Sequence, residues 1–193
     1  MFIDVICRGK MSWIVQDIST DEKNEFIFFD DTMDGRKNTK ESTSQNVFVA
    51  NGDPYFRKEY YNFYKDRNHV KFISNIAAVS NYSTVKDAAF LNNYCSVGAL
   101  AEIGFASWVH SFSNIDVGTK IGDYCRVGSN VHIAEYVTIG DCVVIGSGSV
   151  IVPRVSVGNN CRICAGTVVT KSFGDNLVLA GKPARAIKKN IEE

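Results

Sequence analysis

No charge of either sign prevails in this chain of 193 residues, where 21 basic side chains stand against 21 acidic ones. Without a basic excess there is no electrostatic footprint for DNA or RNA, which excludes nucleic acid as a primary partner. No run of 18 apolar residues exists, so nothing in the sequence reads as a membrane-spanning helix and a membrane partner is excluded too. The opening MFIDVICRGKMSWIVQD lacks a small-residue cleavage site and carries charges close behind a short apolar strand. Secretion is therefore not expected, and the compartment reads as the reducing cytoplasm. The six cysteines (Cys7, Cys95, Cys125, Cys142, Cys161 and Cys164) match no disulfide framework of a small secreted domain. Cys161 and Cys164 form a single CxxC without a second pair or a nearby histidine, and no metal site is expected. Histidine is scarce as well: His69, His110 and His132 are the only three.

What the sequence does have is a period. From Val79 to Val169 an aliphatic residue stands at every sixth position without interruption, sixteen in all, passing through Leu91, Ile103, Ile121, Ile139 and Val157. The fourth residue after each is small or β-branched, as at Ser83, Ala89, Thr119 and Val143. The residue directly after is often glycine, as at Gly98, Gly122, Gly140 and Gly158, which suits a tight bend with a demanding backbone conformation. Six residues per side is neither a helical face nor a plain alternating strand. The physical solution is a parallel β-helix of three flat sides, each a short strand with its aliphatic residue pointing inward. Eighteen residues then make one coil, five coils fill 79–169, and residues n and n+18 stack about 4.8 Å apart. Cys95, Cys125 and Cys161 fall on the small register, a packing role.

Residues 1–75 read differently. Phe2 to Cys7, Phe26 to Phe29, Asn46 to Ala50 and Val70 to Ile73 are strand candidates, the second stopping at the pair Asp30-Asp31. Ser12 to Ile18 reads as a short helix, and Pro54 to Asp66 as a second one, capped by Asp53 with proline at its first position. The polar stretch from Thr32 to Gln45 reads as a loop. Alternating strands and helices predict a small parallel α/β sheet, whose ligands belong beyond the carboxyl ends of its strands. Those ends are Arg8-Gly9-Lys10, Asp30-Asp31 and Asn51-Gly52-Asp53. The expected organisation is an α/β domain over 1–75, a β-helix over 76–171 and a tail over 172–193.

These coils, preceded by an α/β domain with FFDD at 28–31, ANGDPYFRK at 50–58 and GKPAR at 181–185, resemble one group of proteins. It is the sugar acyltransferases of the left-handed β-helix family, in particular the nucleotide-linked 4-amino-sugar N-acetyltransferases of bacterial glycan pathways and the related sialic acid O-acetyltransferases. The resemblance implies a Rossmann-like amino-terminal sheet, a left-handed parallel β-helix, and a homotrimer with active sites between adjacent subunits. It implies acetyl-CoA as co-substrate and a UDP- or dTDP-linked amino-dideoxy sugar as acceptor, acetylated on its C4 amine. Carried over by position, Asp30, Asp31, Asn51, Gly52 and Arg57 would line the nucleotide pocket. The family's glycine-rich turn after the first strand keeps only Gly9 here, so Arg8 or Lys10 would supply side-chain charge for the pyrophosphate. Gly146, Ser147, Ala165, Gly166, Lys171, Pro183 and Arg185 would meet the coenzyme, with Lys182 and Ala184 beside them in the tail.

The chain departs from the family at the general base. The family's histidine position is Val117 here, and the acidic residue after it is Gly118. His110 occupies the place of an active-site asparagine, and Arg126 that of a second active-site histidine. His110 is read as lying on the same side of the prism as His132, one coil away; His132 stacks over Asn114, and Glu135 over Val117. An imidazole near pKa 6.5 suits a base at neutral pH, so His110 or His132 ranks first, followed by Glu135 and Asp116. An O-acetyltransferase of sialic acid or another glycan is the second enzyme reading. A catalytically inactive trimeric β-helix that only binds is a third reading, supported by the missing histidine.

Overall fold

An inward aliphatic residue at every sixth position requires a chain that turns a corner after each short strand, and the computed structural model has this form. It describes residues 1–7, 24–30 (the side chain of Asp30 excepted) and 42–190. Arg8, Lys10, Asp31, the expected helix from Ser12 to Ile18 and most of the expected loop lie outside the described residues.

Two-residue strands recur every six residues from Phe72–Ile73 to Val168–Val169 and stack into three parallel sheets, the walls of a prism. In chain order, the first wall carries Phe90–Leu91 and Trp108–Val109, the second Ser96–Val97 and Asn114–Ile115, and the third Glu102–Ile103 and Lys120–Ile121. Partners are eighteen residues apart, as in Val109↔Val127, Ile115↔Ile133 and Ile121↔Ile139. The second residue of each strand turns inward, and these side chains make one continuous core from Leu91 to Leu179. The small register lies in that core, where its hydroxyls donate to corner carbonyls of the coil ahead: Ser107 to Gly122, Ser113 to Gly128 and Thr119 to Ala134, at 2.6–2.7 Å. A larger residue would not fit there, and a small one without a polar group would leave those carbonyls with one partner fewer.

The corner glycines have a different cause from the one expected. The left-handed conformation falls two residues later, on Tyr94, Ala106, Phe112, Tyr124 and Tyr136 among others. The glycines are there because successive coils touch. A Cβ on Gly140 would lie 2.8 Å from the Asn159 backbone nitrogen and 2.9 Å from the Gly158 carbonyl carbon. We therefore expect Gly140→Ala to destabilise by about 1–3 kcal/mol through overpacking. Gly148→Ala has open space within 4 Å and only a φ of +70° to overcome, and should cost about 1 kcal/mol. Urea unfolding of the two variants checks this; equal midpoints would refute it.

The amino-terminal sheet has β1 (Phe2–Cys7), β2 (Glu25–Asp30), β3 (Asn46–Ala50) and β4 (Asn68–His69), all parallel in the order β2-β1-β3-β4. The strand expected over Val70 to Ile73 is divided. β4 closes the sheet, while Phe72–Ile73 crosses to the prism and pairs with Phe90–Leu91, making Ile73 an earlier member of the aliphatic series. Helix α1 (Pro54–Phe63) begins as expected, with Asp53 Oδ1 accepting from the Tyr55 and Phe56 amides. It ends three residues before Asp66 because the chain must turn back for the Asn68 amide to reach the Gln45 carbonyl at 2.8 Å.

One face of the sheet, Ile3, Val5, Cys7, Phe48 and Ala50, lies on the outward aromatics of the first wall, Phe72, Phe90 and Trp108. Phe48 stacks on Trp108 at 6.1 Å and meets Phe72 edge-on at 4.8 Å. The other face packs against Tyr60, Tyr61 and Tyr64 at the helix, and against Ala88 and Ala106 of the corners. At the far end the coil shortens from eighteen residues to sixteen, with Ile163 pairing Leu179. The segment expected as a tail extends the first wall with Leu177–Gly181 and folds back antiparallel over Ala184–Lys189. No helix among the described residues is long and apolar enough to cross a membrane.

Candidate functional site

In a parallel sheet of order 2-1-3-4, neighbouring strands feed connections to opposite sides at the β1/β3 boundary, and the crevice lies beyond their carboxyl ends. Here those ends are Cys7 and Ala50, in register with each other. Asn51 follows, its Oδ1 accepting from the Asp53 amide at 2.8 Å, and an open hollow of about 390 Å³ is lined by Asn51, Asp53, Tyr55, Phe56 and Glu59. The other side of this turn faces the prism, where Gly52 stands against the Arg126 guanidinium. A Cβ on Gly52 would be 3.5 Å from Cζ.

Arg126 is the outward residue of the first wall one coil beyond Trp108, and is half-buried. Its Nε donates to His110 Nε2 at 3.4 Å, and the His110 ring stands edge-on to Trp108. Burial, reinforced by the charges of Arg126 and Arg57, pushes the His110 pKa down to about 4. The imidazole is therefore neutral at pH 7, with Nε2 as its acceptor nitrogen. Asn51, Gly52, His110 and Arg126, four of the residues read from the sequence, thus meet at one junction between sheet and prism.

Arg57 is present there too, but in a different role. It is fully buried. Its Nε donates to Ala106, one terminal nitrogen to Asn51 and the other to Tyr124 and Cys125, all backbone carbonyls, at 2.7–3.0 Å. Its plane lies over Trp108 at 5.0 Å, and burial lowers its pKa to about 10. Arg57, expected to line the nucleotide pocket, here clamps sheet to prism through these carbonyls and the Trp108 ring and has no solvent-exposed surface.

From His110 one edge of the prism runs toward the carboxyl end. The residues stacked along it are His110, Gly128, Gly146 and Cys164, each donating its amide to the next coil at 2.7–3.0 Å. Beside them run Ser111, Ser129, Ser147 and Ala165. Gly146, Ser147, Ala165 and Gly166 therefore lie together, and Lys182, in the turn that includes Pro183, reaches 4.0 Å from the Cβ position of Gly166. Gly146 is also a packing glycine, since its Cβ would lie 2.7 Å from Ala165 Cα. Arg185 is exposed on the returning strand opposite Ala180. Lys171 stands apart. It follows Val169 of the second wall, one corner further on, with its ammonium 5.6 Å from the Phe173 ring.

The remaining candidates do not join His110. His132 is exposed on the second wall over Asn114, so the expectation that it shares a side with His110 fails. The two are four residues more than one coil apart, which carries His132 past a corner. Asp116 and Glu135 lie near the edge beyond that wall, half-buried, and Asp116 Oδ1 accepts from the Val117 amide at 2.8 Å. Lys182 stands where the resemblance puts it, while Trp108 and Cys164 belong to the site neighbourhood without being candidates in the sequence. Trp108 could have been found from its spacing of eighteen to Phe90, which marks a covered outward face.

Residues 136–171 match the bacterial transferase hexapeptide (six repeats) family. No curated protein sequence matches the chain significantly. Solved structures similar over the whole chain include the acetyltransferase domain of PglB from Neisseria gonorrhoeae FA1090 in complex with acetyl coenzyme A. It is 19% identical with a TM-score of 0.88, over 96% of this chain and 98% of that one. A histidine-to-alanine variant of GDP-perosamine N-acetyltransferase from Caulobacter crescentus, in complex with CoA and GDP-perosamine, is 20% identical with a TM-score of 0.91, over 98% of each chain. WeeI from Acinetobacter baumannii AYE is 19% identical with a TM-score of 0.70, over 96% of this chain and all of the other. The likeness is one of fold, and it includes the amino-terminal sheet as well as the coils.

Proposed function

We propose that the chain is an acetyl-CoA-dependent N-acetyltransferase acting on the C4 amine of a nucleotide-linked amino-dideoxy sugar. The observation that carries this reading is continuity. The carboxyl end of β3 opens at Asn51-Gly52 onto His110 and Arg126, and from His110 one edge of small residues leads to Lys182 and Pro183. The sheet, read as Rossmann-like, offers a place for a UDP or dTDP group, and the edge offers a track for a pantetheine arm. The similar structures that carry acetyl-CoA, or CoA with GDP-perosamine, support that division of labour.

In the reaction the neutral amine attacks the thioester carbonyl, a C–N bond forms and the C–S bond breaks. The nitrogen loses its proton and the CoA thiolate gains one. His110 is neutral, and its lone-pair nitrogen Nε2 can accept that proton by giving up the long bond from Arg126 Nε. A tetrahedral oxyanion needs a backbone N–H. The edge bearing Asp116 and Glu135 lies across the second wall from His110, so a homotrimer that sets this edge of one copy beside His110 of the next would supply the amide of Glu135. In this arrangement His132, Glu135 and Asp116 are secondary candidates for the proton.

Mixing the protein with acetyl-CoA and a UDP- or dTDP-linked 4-amino sugar, and following released thiol, tests the proposal. Thiol release that depends on the amino sugar is expected. Release with free sialic acid alone would favour the O-acetyltransferase reading, which Arg126, without an ion-pair partner among the described residues, supports. No release with either would leave a module that binds without turnover.

A further inference from the structure

Among the described residues, the junction gathers cationic and donor groups. Arg126 and Arg57 bring two guanidinium charges, and the buried Trp108 indole N–H has no acceptor among the described residues. The ion pairs among the described residues, Lys71–Asp87, Lys86–Asp123 and Lys120–Glu102, are all elsewhere. Asp53, the carboxylate whose field reaches Arg57, is occupied with the helix amides of Tyr55 and Phe56.

The two arginines differ in what is left over. Arg57 spends its donors on four carbonyls. Among the described residues Arg126 donates through Nε alone, to a neutral imidazole, in a long bond of 3.4 Å. The guanidinium lies against the Gly52 turn, where a Cβ would meet Cζ, Nε and one terminal nitrogen at 3.5–3.6 Å, ordinary contact distance. A half-buried guanidinium normally acquires a counter-ion, and the planar pair of terminal nitrogens matches two oxygens of a carboxylate or phosphate. It does so at the carboxyl end of β3, where a ligand of this sheet would lie.

We propose that Arg126 is the receptor for an anionic oxygen group of the acceptor, a sugar carboxylate or a nucleotide diphosphate, and that this contact selects the acceptor. The word acceptor rests on the transferase reading above; the anion receptor does not. Pairing Arg126 with an anion would also lift part of the charge that holds His110 down, so the base would strengthen when the acceptor arrives. Arg126 acts here as a specificity determinant, with His110 as its reporter.

Calorimetric titration of wild type, Arg126→Gln and Arg126→Lys with UDP, with N-acetylneuraminate and with CoA tests this. Arg126→Gln should weaken one of the two anions by roughly twentyfold or more, with Arg126→Lys recovering part of the loss and CoA affinity unchanged. The anion that responds identifies the source of the group. In NMR spectra of the wild type, that anion should raise the titration midpoint of His110, a response that a merely structural role for Arg126 would not produce. Equal binding of both anions to wild type and Arg126→Gln overturns the proposal. So does failure of both to bind wild type at about 10 mM. If an anion responds to the substitution but CoA does not bind, the transferase reading falls and the receptor stands.

Discussion

Alanine at His110 should lower kcat by more than a hundredfold with the KM for acetyl-CoA unchanged, the pattern for loss of a group that acts on the reacting proton. The same substitution at His132 should change kcat less than threefold, since that ring is exposed on another wall. The pH profile separates His110 from an ordinary histidine. With its pKa near 4, kcat/KM should show no limb at pH 6.5 and should fall only as pH drops below about 5. Stability follows the same group. Its folded pKa lies below the unfolded value, so the unfolded chain binds more protons between about 4 and 6.5. The contribution is complete above pH 6.5 and is lost as pH falls toward 4, on the order of 3 kcal/mol before screening is allowed for. Urea midpoints of wild type and His110→Ala across that window should converge at low pH. Parallel curves, or a kcat/KM limb at 6.5, would remove His110 from this role.

The second large effect is expected at Arg57. Methionine there keeps much of the side-chain length but removes a donor from the Ala106, Asn51, Tyr124 and Cys125 carbonyls, of which Cys125 keeps the Trp108 amide. A loss of about 3–5 kcal/mol is expected, which for a chain of this size lowers Tm by about 10 °C. Near-UV circular dichroism should report it early, since Trp108 lies under the guanidinium. An unchanged Tm with a raised KM for the nucleotide sugar would instead restore Arg57 to the pocket where the sequence reading put it.

Arg57 shows where sequence reasoning stopped short. The coils were legible because an inward position on a two-residue strand tolerates little but an aliphatic side chain, so the period prints directly on the chain from Val79 to Val169. The packing glycines are legible in place but not in cause, since the sequence suggests a demanding bend and contact between coils eighteen residues apart is invisible until the coils are stacked. The residues of the junction were legible as a group, Asn51, Gly52, His110 and Arg126 among them. Their division into ligand contact and structural clamp was not, because four carbonyls from three segments surround Arg57 and no local motif announces them. His132 is misplaced for a simpler reason: it stands twenty-two residues from His110, four more than one coil, and so lies past a corner. The outward aromatics Phe72, Phe90 and Trp108 carried a usable signal, since three large rings at a spacing of eighteen mark a wall that another layer must cover.

The shortened last coil and its antiparallel return bear on solubility. A stack of parallel strands presents unpaired amides and carbonyls at each end, and identical molecules could add to it indefinitely, as in a fibre. Here the carboxyl-terminal edge of the first wall is occupied by a strand running the wrong way for continued parallel growth, studded with Arg185, Lys188 and Lys189. Trimming the chain after Gly181 would bare that edge, and polymerisation along the prism axis is the hazard this strand holds in check.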